Sequence, residues 1–199
     1  MNLDTKSRIL KAGAKIVLQK GFYDTGLAEV LKAAKVPKGS FYFYFKNKED
    51  FGLQLIDTFA DYLKAAADSF YQDESLPPLE KIRRIFKWQA DAFKTNDFKG
   101  GCPIGNLSLE MGDRNPNFRK KLNHVFSDMK KRLATHLKQA QQQGEIPEPI
   151  DVDEATDFIV SSWQGALMQM KVTKSTLPHQ VFDRMIFGHF LGSHDSIRS

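Results

Sequence analysis

An aromatic segment headed by a lysine is the part of this sequence whose residue types best suit chemistry. Its octapeptide reads Lys38-Gly39-Ser40-Phe41-Tyr42-Phe43-Tyr44-Phe45. These aromatic side chains cannot all face inward on one and a half helical turns. Phe41 and Phe45 stand four positions apart, so both can anchor a helix inside the protein. Tyr42 and Tyr44 must then point outward, which leaves their hydroxyls free for phosphate oxygens.

The three residues at the head of this segment, Lys38, Gly39 and Ser40, are expected at the amino end of a helix. Backbone N–H groups and the helix dipole favour an anion there, and side chains at that end can reach base edges. A preceding short helix ends before Pro37, because the residue before a proline avoids the helical region. Residues 26–45 therefore predict a helix-turn-helix, in which one helix crosses the DNA backbone and the next enters the major groove.

The positive charge of the chain is concentrated in the same region. Residues 1–46 hold nine lysines and arginines against three acids, a net charge of +6, whereas the remainder holds 20 bases against 21 acids. A basic module on a neutral body suggests a polyanionic partner. A well-solvated helical surface is the alternative that the charge alone leaves open.

The spacing of apolar residues predicts an all-α protein of about nine helices. No Asn-Gly or Asp-Gly hairpin signal occurs, and strict alternation of apolar and polar residues is never sustained. Residues 96–116 are predicted to be irregular. The expected helices start with one that ends at Gly21 in the left-handed conformation, and the later ones cover about 27–34, 38–45, 47–71, 79–95, 116–143, 151–173 and 178–191.

Polar residues mark the expected starts of these helices, since a side-chain oxygen can accept a hydrogen bond from a free N–H group of the first turn. Asn115 is followed by a proline, which suits the first helical position. The expected N-terminal caps are Asp4 or Thr5, Thr25, Asn47, Asn115 and Asp151.

Two domains are predicted, a DNA-binding domain over 1–46 and a helical dimerisation domain over 47–199. The last two helices, near 153–173 and 178–191, are unusually apolar. An ordinary internal core explains part of this pattern. A two-fold dimer that forms a four-helix bundle explains the rest, because such helices need cover on more than one side.

The stretch from Val36 to Glu49 resembles the signature of the tetracycline-repressor (TetR) family of bacterial transcriptional regulators. Gly21, Phe22 and Thr25 fit the same pattern at the expected spacing. The resemblance is specific over about the first 55 residues, and the remainder agrees in length and helical layout. It implies a three-helix DNA-binding domain, a larger helical ligand-sensing domain, and a homodimer on a palindromic operator.

The resemblance also implies roles for single residues. Thr25, Tyr42 and Lys48 would contact phosphates, and the three residues 38–40 would lie against base edges. Tyr44 stands where the family more often has histidine, and position 28 is alanine where some members present arginine. The implied DNA-binding residues are Thr25, Gly26, Lys38, Gly39, Ser40, Tyr42, Tyr44 and Lys48.

The single cysteine, Cys102, is a candidate sensor of electrophiles or oxidants. Two glycines precede it, Lys99 adds a nearby positive charge, and a following helical turn could present N–H groups to a thiolate. Its surroundings resemble those of the electrophile-sensing N-ethylmaleimide reductase repressors, which also have a lysine at the place of Lys171. Pro103 and Gly105-Asn106 depart from that pattern. The alternative is a small apolar core residue, which free cysteines often are.

A conventional pocket for a small-molecule effector is the other way in which the chain could sense a signal. Aromatic and methionine side chains suit a deformable apolar cavity, although any one of them could equally serve core packing. The candidate lining residues are Trp88, Gln89, Phe93, Trp163, Met168 and Met170.

Two other classes of function are alternatives to a DNA-binding regulator. An enzyme is disfavoured because no HExxH, GxSxG, P-loop or GxGxxG motif occurs, and no catalytic residue, metal or cofactor is expected. A cysteine-dependent enzyme would need a histidine near Cys102 in the fold. A helical adaptor that binds protein through the basic region would have no affinity for DNA. Without a signal-like start or a long apolar run, the protein is expected in the cytoplasm and away from membranes.

Overall fold

The computed structural model describes residues 4–192, and their regular structure is helical throughout. The all-α prediction is therefore confirmed, and the described residues form nine α-helices without a strand. A 3₁₀ turn precedes α3, and a π-helix, Arg184–Phe190, follows α9. The α-helices are α1 (Thr5–Lys20), α2 (Leu27–Ala34), α3 (Phe41–Tyr44), α4 (Lys48–Tyr71), α5 (Pro78–Thr95), α6 (Pro103–Met111), α7 (Pro116–Gln142), α8 (Val152–Thr173) and α9 (Leu177–Asp183).

The chain divides into two compact units. The first comprises Met1–Leu63 with Cys102–Val125, and the second comprises Lys64–Gly101 with Phe126–Ser199. Both α4 and α7 contribute residues to each unit. The predicted boundary after residue 46 separates two functions and stays a prediction. The last residues of the predicted second domain, 193–199, lie outside the described part of the chain.

Aromatic rings form the centre of the first unit. Phe41, Phe45 and Phe51 are almost completely buried, and their ring centroids lie 5.0–5.9 Å apart. Gly13 of α1 packs directly under the Phe51 ring, where a Cβ atom would collide with it. Burial of this cluster fixes α1, α3 and α4 against one another, since close-packed interiors leave no room for displacement.

In the second unit, α5, α8 and α9 meet around a buried tryptophan. The Trp163 ring lies 5.1 Å from those of Phe86 and Phe182, and its indole N–H donates to Oε1 of Gln89 at 2.8 Å. Arg83 donates to both carboxylate oxygens of Asp183 at 2.6 and 2.7 Å. That two-bonded pair lowers the pKa of Asp183 and ties α9 to α5.

Most predicted helix starts are confirmed by hydrogen bonds. The carboxylate of Asp4 accepts from Ser7 N, and Asn47 Oδ1 accepts from Asp50 N. Asn115 and Asp151 each accept from two backbone N–H groups of the following turn. The long helices 47–71, 79–95, 116–143 and 151–173 agree with the observed bounds to within one residue.

Two local expectations, one at the start of α2 and one at the end of α1, are wrong. Thr25 does not cap the helix, because its hydroxyl donates backwards to Gly21 O at 2.5 Å and Gly26 occupies the cap position. Gly21 has a positive φ of 88°, but its ψ of 165° places it outside the left-handed helical region. That conformation is open essentially to glycine alone.

Three further expectations need correction. Residues 96–116 are not irregular throughout, since 103–111 form α6, with Pro103 in its first turn. The helix expected over 38–45 is a 3₁₀ turn, Lys38–Ser40, followed by the four residues of α3. The last helix changes to π geometry at Arg184. Short or unusual helices leave little periodic signal, which is why the spacing of apolar residues did not resolve them.

Across residues 4–192, no helix is both long and apolar enough to cross a membrane. The same residues contain no group of three or more histidine, cysteine, aspartate or glutamate side chains that could hold a metal ion.

Candidate DNA-binding interface and effector site

Residues 38–45, called the aromatic segment below, are held from inside by two phenylalanines. Phe41 and Phe45 are each 1% exposed and contact Phe51 of α4. Val36 is buried just ahead of the break at Pro37, where φ is −60° and ψ is 145°. The predicted division of the segment into inward phenylalanines and outward residues therefore agrees with the structure.

The outer side of the aromatic segment is exposed. The side chains of Tyr42, Phe43 and Tyr44 are 70%, 86% and 38% exposed. Lys38 and Gly39 are also exposed, and Ser40 is half-buried. A Cβ atom on Gly39 would meet nothing within 4 Å, so the protein itself does not require a glycine there. The free space suits a close approach of another molecule to the backbone.

Phe43 is the exposed residue that sequence reasoning missed. It lies two positions from Phe41, so the helical rotation of about 100° per residue turns it to the opposite side of α3. Its ring is 86% exposed and lies beside the exposed rings of Tyr42 and Tyr44, so the three form one aromatic surface. The same helical spacing that places Phe41 inward predicts an outward Phe43, but the sequence-based prediction assigned only the two tyrosines outward.

The two predicted contact residues before α2 occupy different positions. Thr25 is buried, and its hydroxyl is used in the bond to Gly21 O. Gly26 is exposed at the helix N-cap without a side-chain capping bond, and space around it is open. The first free N–H groups of α2 therefore start at an accessible glycine.

Lys48, predicted to contact phosphate, begins α4 in a half-buried position. Its ammonium donates to Tyr23 O at 2.8 Å and lies 5.1 Å from the centroid of the Phe22 ring. Burial lowers the pKa of Lys48, and the nearby carboxylates of Glu110 and Asp24 oppose that effect. The charge thus stabilises the turn between α1 and α2 in the absence of any partner.

Arg8 is a second positioning residue that the sequence did not reveal. Its guanidinium donates from Nη2 to Ala34 O at 2.6 Å and to Lys35 O at 2.8 Å. These carbonyls lie at the carboxyl end of α2, where a cation also interacts favourably with the helix dipole. Lys35 itself adopts a left-handed conformation with φ 54°. Arg8 therefore fixes the point at which the chain turns from α2 towards the aromatic segment.

The charge around this exposed surface is strongly positive. Residues 27–48 contain five lysines, Lys32, Lys35, Lys38, Lys46 and Lys48, and one acid, Glu29. The carboxylate of Glu29 is already paired with Lys20 of α1. A cationic surface with exposed aromatic rings and an accessible backbone is typical of proteins that bind nucleic acid.

Cys102, the candidate sensor, belongs to the first unit. It is half-buried at the N-cap position of α6, and Gly105 N donates to its Sγ at 3.4 Å. Gly100 and Gly101 directly before it have positive φ values of 91° and 98°. The first turn of α6 therefore presents an N–H group to the sulfur, and the backbone before the sulfur is shaped by glycine.

The other candidate effector residues belong to the second unit. Phe93 and Trp163 are buried and Trp88 is half-buried, while Met168 and Lys171 are exposed. Phe93 packs against Phe98, and Trp88 lies 6.5 Å from Phe70. The structure thus places the three aromatic candidates and Met170 among packed side chains and puts Met168 and Lys171 on the surface, while half-buried Gln89 accepts the indole N–H of Trp163.

Exposed apolar side chains occur along the last helices of the second unit and are together called the C-terminal stripe below. Gly165 lies within it and leaves free space above its Cα. The rings of Phe158 and Phe190 lie 5.3 Å apart and join the two ends of the stripe. Its large members are Phe158, Met168 and Val172 of α8, Leu177 and Val181 of α9, and Met185 and Phe190 of the π-helix.

Two regions of the chain match known protein families. Residues 9–55 match the family described as "Bacterial regulatory proteins, tetR family". Residues 78–186, more than half of the chain, match the family described as "Tetracyclin repressor-like, C-terminal domain". Together the two matches cover the aromatic segment, α6 and nearly all of the C-terminal stripe.

Similar proteins are also regulators. The chain is 36% identical over 183 residues to the transcriptional regulator AcuR of Cereibacter sphaeroides, covering 92% of this chain and 84% of AcuR. It is 31% identical over 192 residues to the HTH-type transcriptional repressor DhaR of Mycobacterium sp. strain GP1, covering 96% and 95% of the two chains.

Solved structures agree with these relatives. The regulatory protein TetR from Rhodobacter sphaeroides superposes with a TM-score of 0.86 at 35% identity, covering 92% of this chain and 97% of that one. The reduced form of NemR from E. coli superposes with a TM-score of 0.83 at 25% identity, covering 94% and 97%. The chain therefore belongs to the TetR family of transcriptional regulators, which are not enzymes, which bind DNA and which typically act as dimers.

Proposed function

We propose that this protein is a repressor that binds a palindromic operator as a homodimer and leaves it when a small-molecule or thiol-reactive effector binds. The observation that carries the proposal is the outward Tyr42, Phe43 and Tyr44 on a lysine-rich surface, anchored by buried Phe41 and Phe45. Because its partner is operator DNA, we place its action in the cytoplasm.

In this proposal, residues 1–46 form the DNA-binding domain and the aromatic segment enters the major groove. Lys38, Gly39 and Ser40 lie against base edges, which suits their exposed or half-exposed positions ahead of α3. Tyr42 and Tyr44 reach phosphates or bases from the outer side. Around them, Gly26 offers the free N–H groups at the start of α2 to a phosphate, while Thr25 supports the turn from inside.

A dimer is needed because one aromatic segment can read only a few base pairs. A good bidentate side-chain contact discriminates between bases by about 1–3 kcal/mol, which is too little to find one site in a genome. Two segments about 34–36 Å apart would read two half-sites on one face of the duplex. The C-terminal stripe supports a two-fold dimer, since its exposed apolar side chains extend over both α8 and the last helix.

Release by an effector requires that the effector bind one conformation better than the other. It lowers operator affinity only by that difference in its own affinity. Cys102 supports a thiol-reactive effector, because its sulfur lies at a helix start after two glycines. The similar NemR protein was solved in a reduced form, which favours testing the thiol here. Trp88, Phe93 and Trp163 are the alternative contacts for an apolar effector.

The proposal is tested by gel-shift titration of fragments of genomic DNA with the unmodified protein, Tyr42→Ala and Lys48→Ala. We expect salt-sensitive binding by the unmodified protein, and affinity about tenfold weaker for each variant. Tyr62→Ala, an exposed tyrosine of α4 outside the helix-turn-helix, is the matched control. Unchanged affinity of the Tyr42 and Lys48 variants would remove the role of the aromatic segment, and absence of duplex binding would favour a protein-binding adaptor.

The effector part of the proposal has its own experiment. The protein is treated with N-ethylmaleimide or mild hypochlorite, and modification of Cys102 is followed by mass spectrometry alongside operator release. We expect modification and release together in the unmodified protein and neither in Cys102→Ser. An unreactive Cys102 with unchanged operator binding would end the thiol mechanism and leave only the apolar effector.

A further inference from the structure

The turn between α1 and α2 has no regular structure of its own, yet hydrogen bonds hold many of its backbone groups. Inside the turn, Thr25 N donates to Phe22 O at 3.2 Å, and Gly21 N donates to Val17 O at 2.9 Å. The aromatic ring of Phe22 packs against Phe118 at 5.0 Å between centroids. The turn delivers the chain to the exposed N-cap of α2, so its position decides where α2 begins.

A carboxylate from α6 binds this turn from outside. Glu110 accepts hydrogen bonds from two consecutive backbone N–H groups, Phe22 N to Oε2 at 2.9 Å and Tyr23 N to Oε1 at 2.6 Å. Glu110 lies 87 and 88 residues along the chain from these amides, within the same compact unit. A carboxylate that accepts from two adjacent N–H groups fixes both the distance and the direction of the peptide units that it binds.

The chain is shaped to admit this carboxylate. A Cβ atom on Gly21 would lie 3.1 Å from both oxygens of Glu110, and Gly21 has a φ of +88° that side chains rarely adopt. The backbone conformation therefore demands glycine at this position. A Cβ atom there would also press on the Glu110 carboxylate, which would have to move by a few tenths of an ångström.

Two cationic side chains, Lys48 and Arg114, also contact Tyr23. The ammonium of Lys48 donates to Tyr23 O at 2.8 Å, while Glu110 accepts from the N–H of the same residue. The guanidinium of Arg114 lies 4.9 Å from the centroid of the Tyr23 ring. Tyr23 is thus held at its N–H group, its carbonyl and its ring by side chains from α6, α4 and the link after α6.

We propose that Glu110 is a positioning residue for DNA binding: it fixes the turn before α2, so that operator affinity depends on α6. The inference rests on the proposed function and adds a residue outside the DNA-binding helices. The predicted change in DNA affinity is opposite to the change that charge alone would cause. Removal of one negative charge should by itself strengthen binding to the DNA polyanion. Loss of the Glu110 contact should weaken it, because the start of α2 is no longer fixed.

The experiment compares Glu110→Gln and Glu110→Ala with a charge-matched control, Glu49→Gln. Glu49 belongs to the same unit and accepts one hydrogen bond from Asn117 Nδ2 at 2.7 Å. We expect operator affinity to fall about tenfold in Glu110→Ala and less in Glu110→Gln, which keeps one acceptor oxygen. Glu49→Gln should bind as well as the unmodified protein or more tightly.

Amide hydrogen exchange, measured by NMR, gives a readout that a general loss of stability would not produce. In Glu110→Ala the amides of Phe22 and Tyr23 should exchange at least about tenfold faster, whereas Gly21 N, bonded within α1, should be unchanged. Thermal unfolding of each variant shows whether binding was measured on folded protein. A merely structural role would lower the melting temperature and leave operator affinity intact.

The outcomes separate this inference from the proposed function. Normal or tighter operator binding by Glu110→Ala, with the unmodified protein binding well, would overturn the role of Glu110 alone. Unchanged exchange at Phe22 and Tyr23 would overturn it as well. Failure of the unmodified protein to bind any duplex would contradict the proposed function, and the role of Glu110 in DNA binding with it.

Discussion

Two surfaces of this protein expose large apolar side chains, and they differ in charge. The aromatic segment lies within residues 27–48, which contain five lysines and one glutamate. The C-terminal stripe lies within residues 152–190, which contain three lysines and arginines against four acids. Exposed rings among cations suit a polyanion, whereas an apolar stripe with nearly balanced charge suits a second protein surface. The charge around each surface, and not its exposed rings, indicates whether it suits DNA or a second protein surface.

The two surfaces also differ in extent. The aromatic segment is a 3₁₀ turn and a single short helix, fixed by two buried phenylalanines. The C-terminal stripe runs along a helix of 22 residues and continues over the last helix. A small surface gives limited affinity, and a long apolar one can support a stable dimer. A dimer formed through the C-terminal stripe would present the aromatic segment twice and so add the affinity that a single segment lacks.

The π-helix contributes to the stripe. Leu177, Val181 and Met185 follow one another at intervals of four residues, and Phe190 follows at an interval of five. An interval of five matches the π geometry, in which Leu191 N donates to Ile186 O at 2.8 Å. The change of helix type thus keeps Phe190 on the same side as the other three and beside Phe158.

The largest effect is expected from a charge in the C-terminal stripe. Met168→Glu should raise the dissociation constant of the dimer by about a hundredfold or more, because burying an unpaired carboxylate is strongly unfavourable. Operator affinity should fall with it. Analytical ultracentrifugation measures the change, with Leu109→Glu, an exposed leucine of α6, as the control. A stable dimer of Met168→Glu would separate the stripe from dimerisation and return Met168 to the candidate pocket.

A smaller effect is expected from the ring that sequence reasoning missed. Phe43→Ala should weaken operator binding about five- to tenfold, because it removes an apolar contact available to base methyl groups or sugars. The dimer should be unaffected. Fluorescence anisotropy with a labelled operator measures the affinity. Equal binding by Phe43→Ala would show that the tyrosines alone form the aromatic contact.

The role of Lys48 can be separated by salt dependence. If it contacts a phosphate in each half-site, Lys48→Gln should reduce the slope of log affinity against log salt by about 0.9 for each contact, or about 1.8 for a dimer. In the structure the Lys48 ammonium already donates a hydrogen bond to Tyr23 O, so Lys48 could instead act by holding the turn between α1 and α2. Weaker binding with an unchanged slope would mean that Lys48 acts only by holding the turn.

The smallest predicted effect concerns pH and belongs to the second unit. Burial lowers the pKa of His179 below its usual value near 6.5, and its Nε2 is buried without a hydrogen-bond partner. The folded state then favours the neutral imidazole of His179. The contribution of this group to the free energy of unfolding is therefore fully present above pH 6.5, and it is lost as the pH falls from 6.5 towards the lowered pKa.

The measurement is the melting temperature at pH 7.5 and 5.5. His179→Gln should lose about 2 °C less than the unmodified protein across this interval. An identical loss in His179→Gln would mean that protonation of His179 does not oppose folding.

Long periodic helices and the inward phenylalanines could be predicted from the sequence. The long helices each carry several turns of apolar spacing and a polar cap, and such signals add up. Phe41 and Phe45 could be assigned inward because four residues bring side chains to one face. The family signature predicts that the same segment is the contact region.

The contacts of the turn between α1 and α2 could not be predicted. Glu110, Lys48 and Arg8 act through backbone groups that lie 25–88 residues away in sequence, and local spacing carries no information about them. Thr25 illustrates the difference, since its type fits a helix cap while the fold directs its hydroxyl to Gly21 O. Short α6 was missed because nine residues after two glycines give little periodic signal.

Selection of bound fragments from a pool of random duplexes, followed by native mass spectrometry of the complex, tests the central claim most directly. We expect an enriched palindromic sequence, half-sites about one helical turn apart, and two chains for each duplex. Tyr42→Ala should lose the enrichment while remaining a dimer. Enrichment of an asymmetric sequence bound by a single chain, or no enrichment at all, would contradict paired reading of DNA by the aromatic segment.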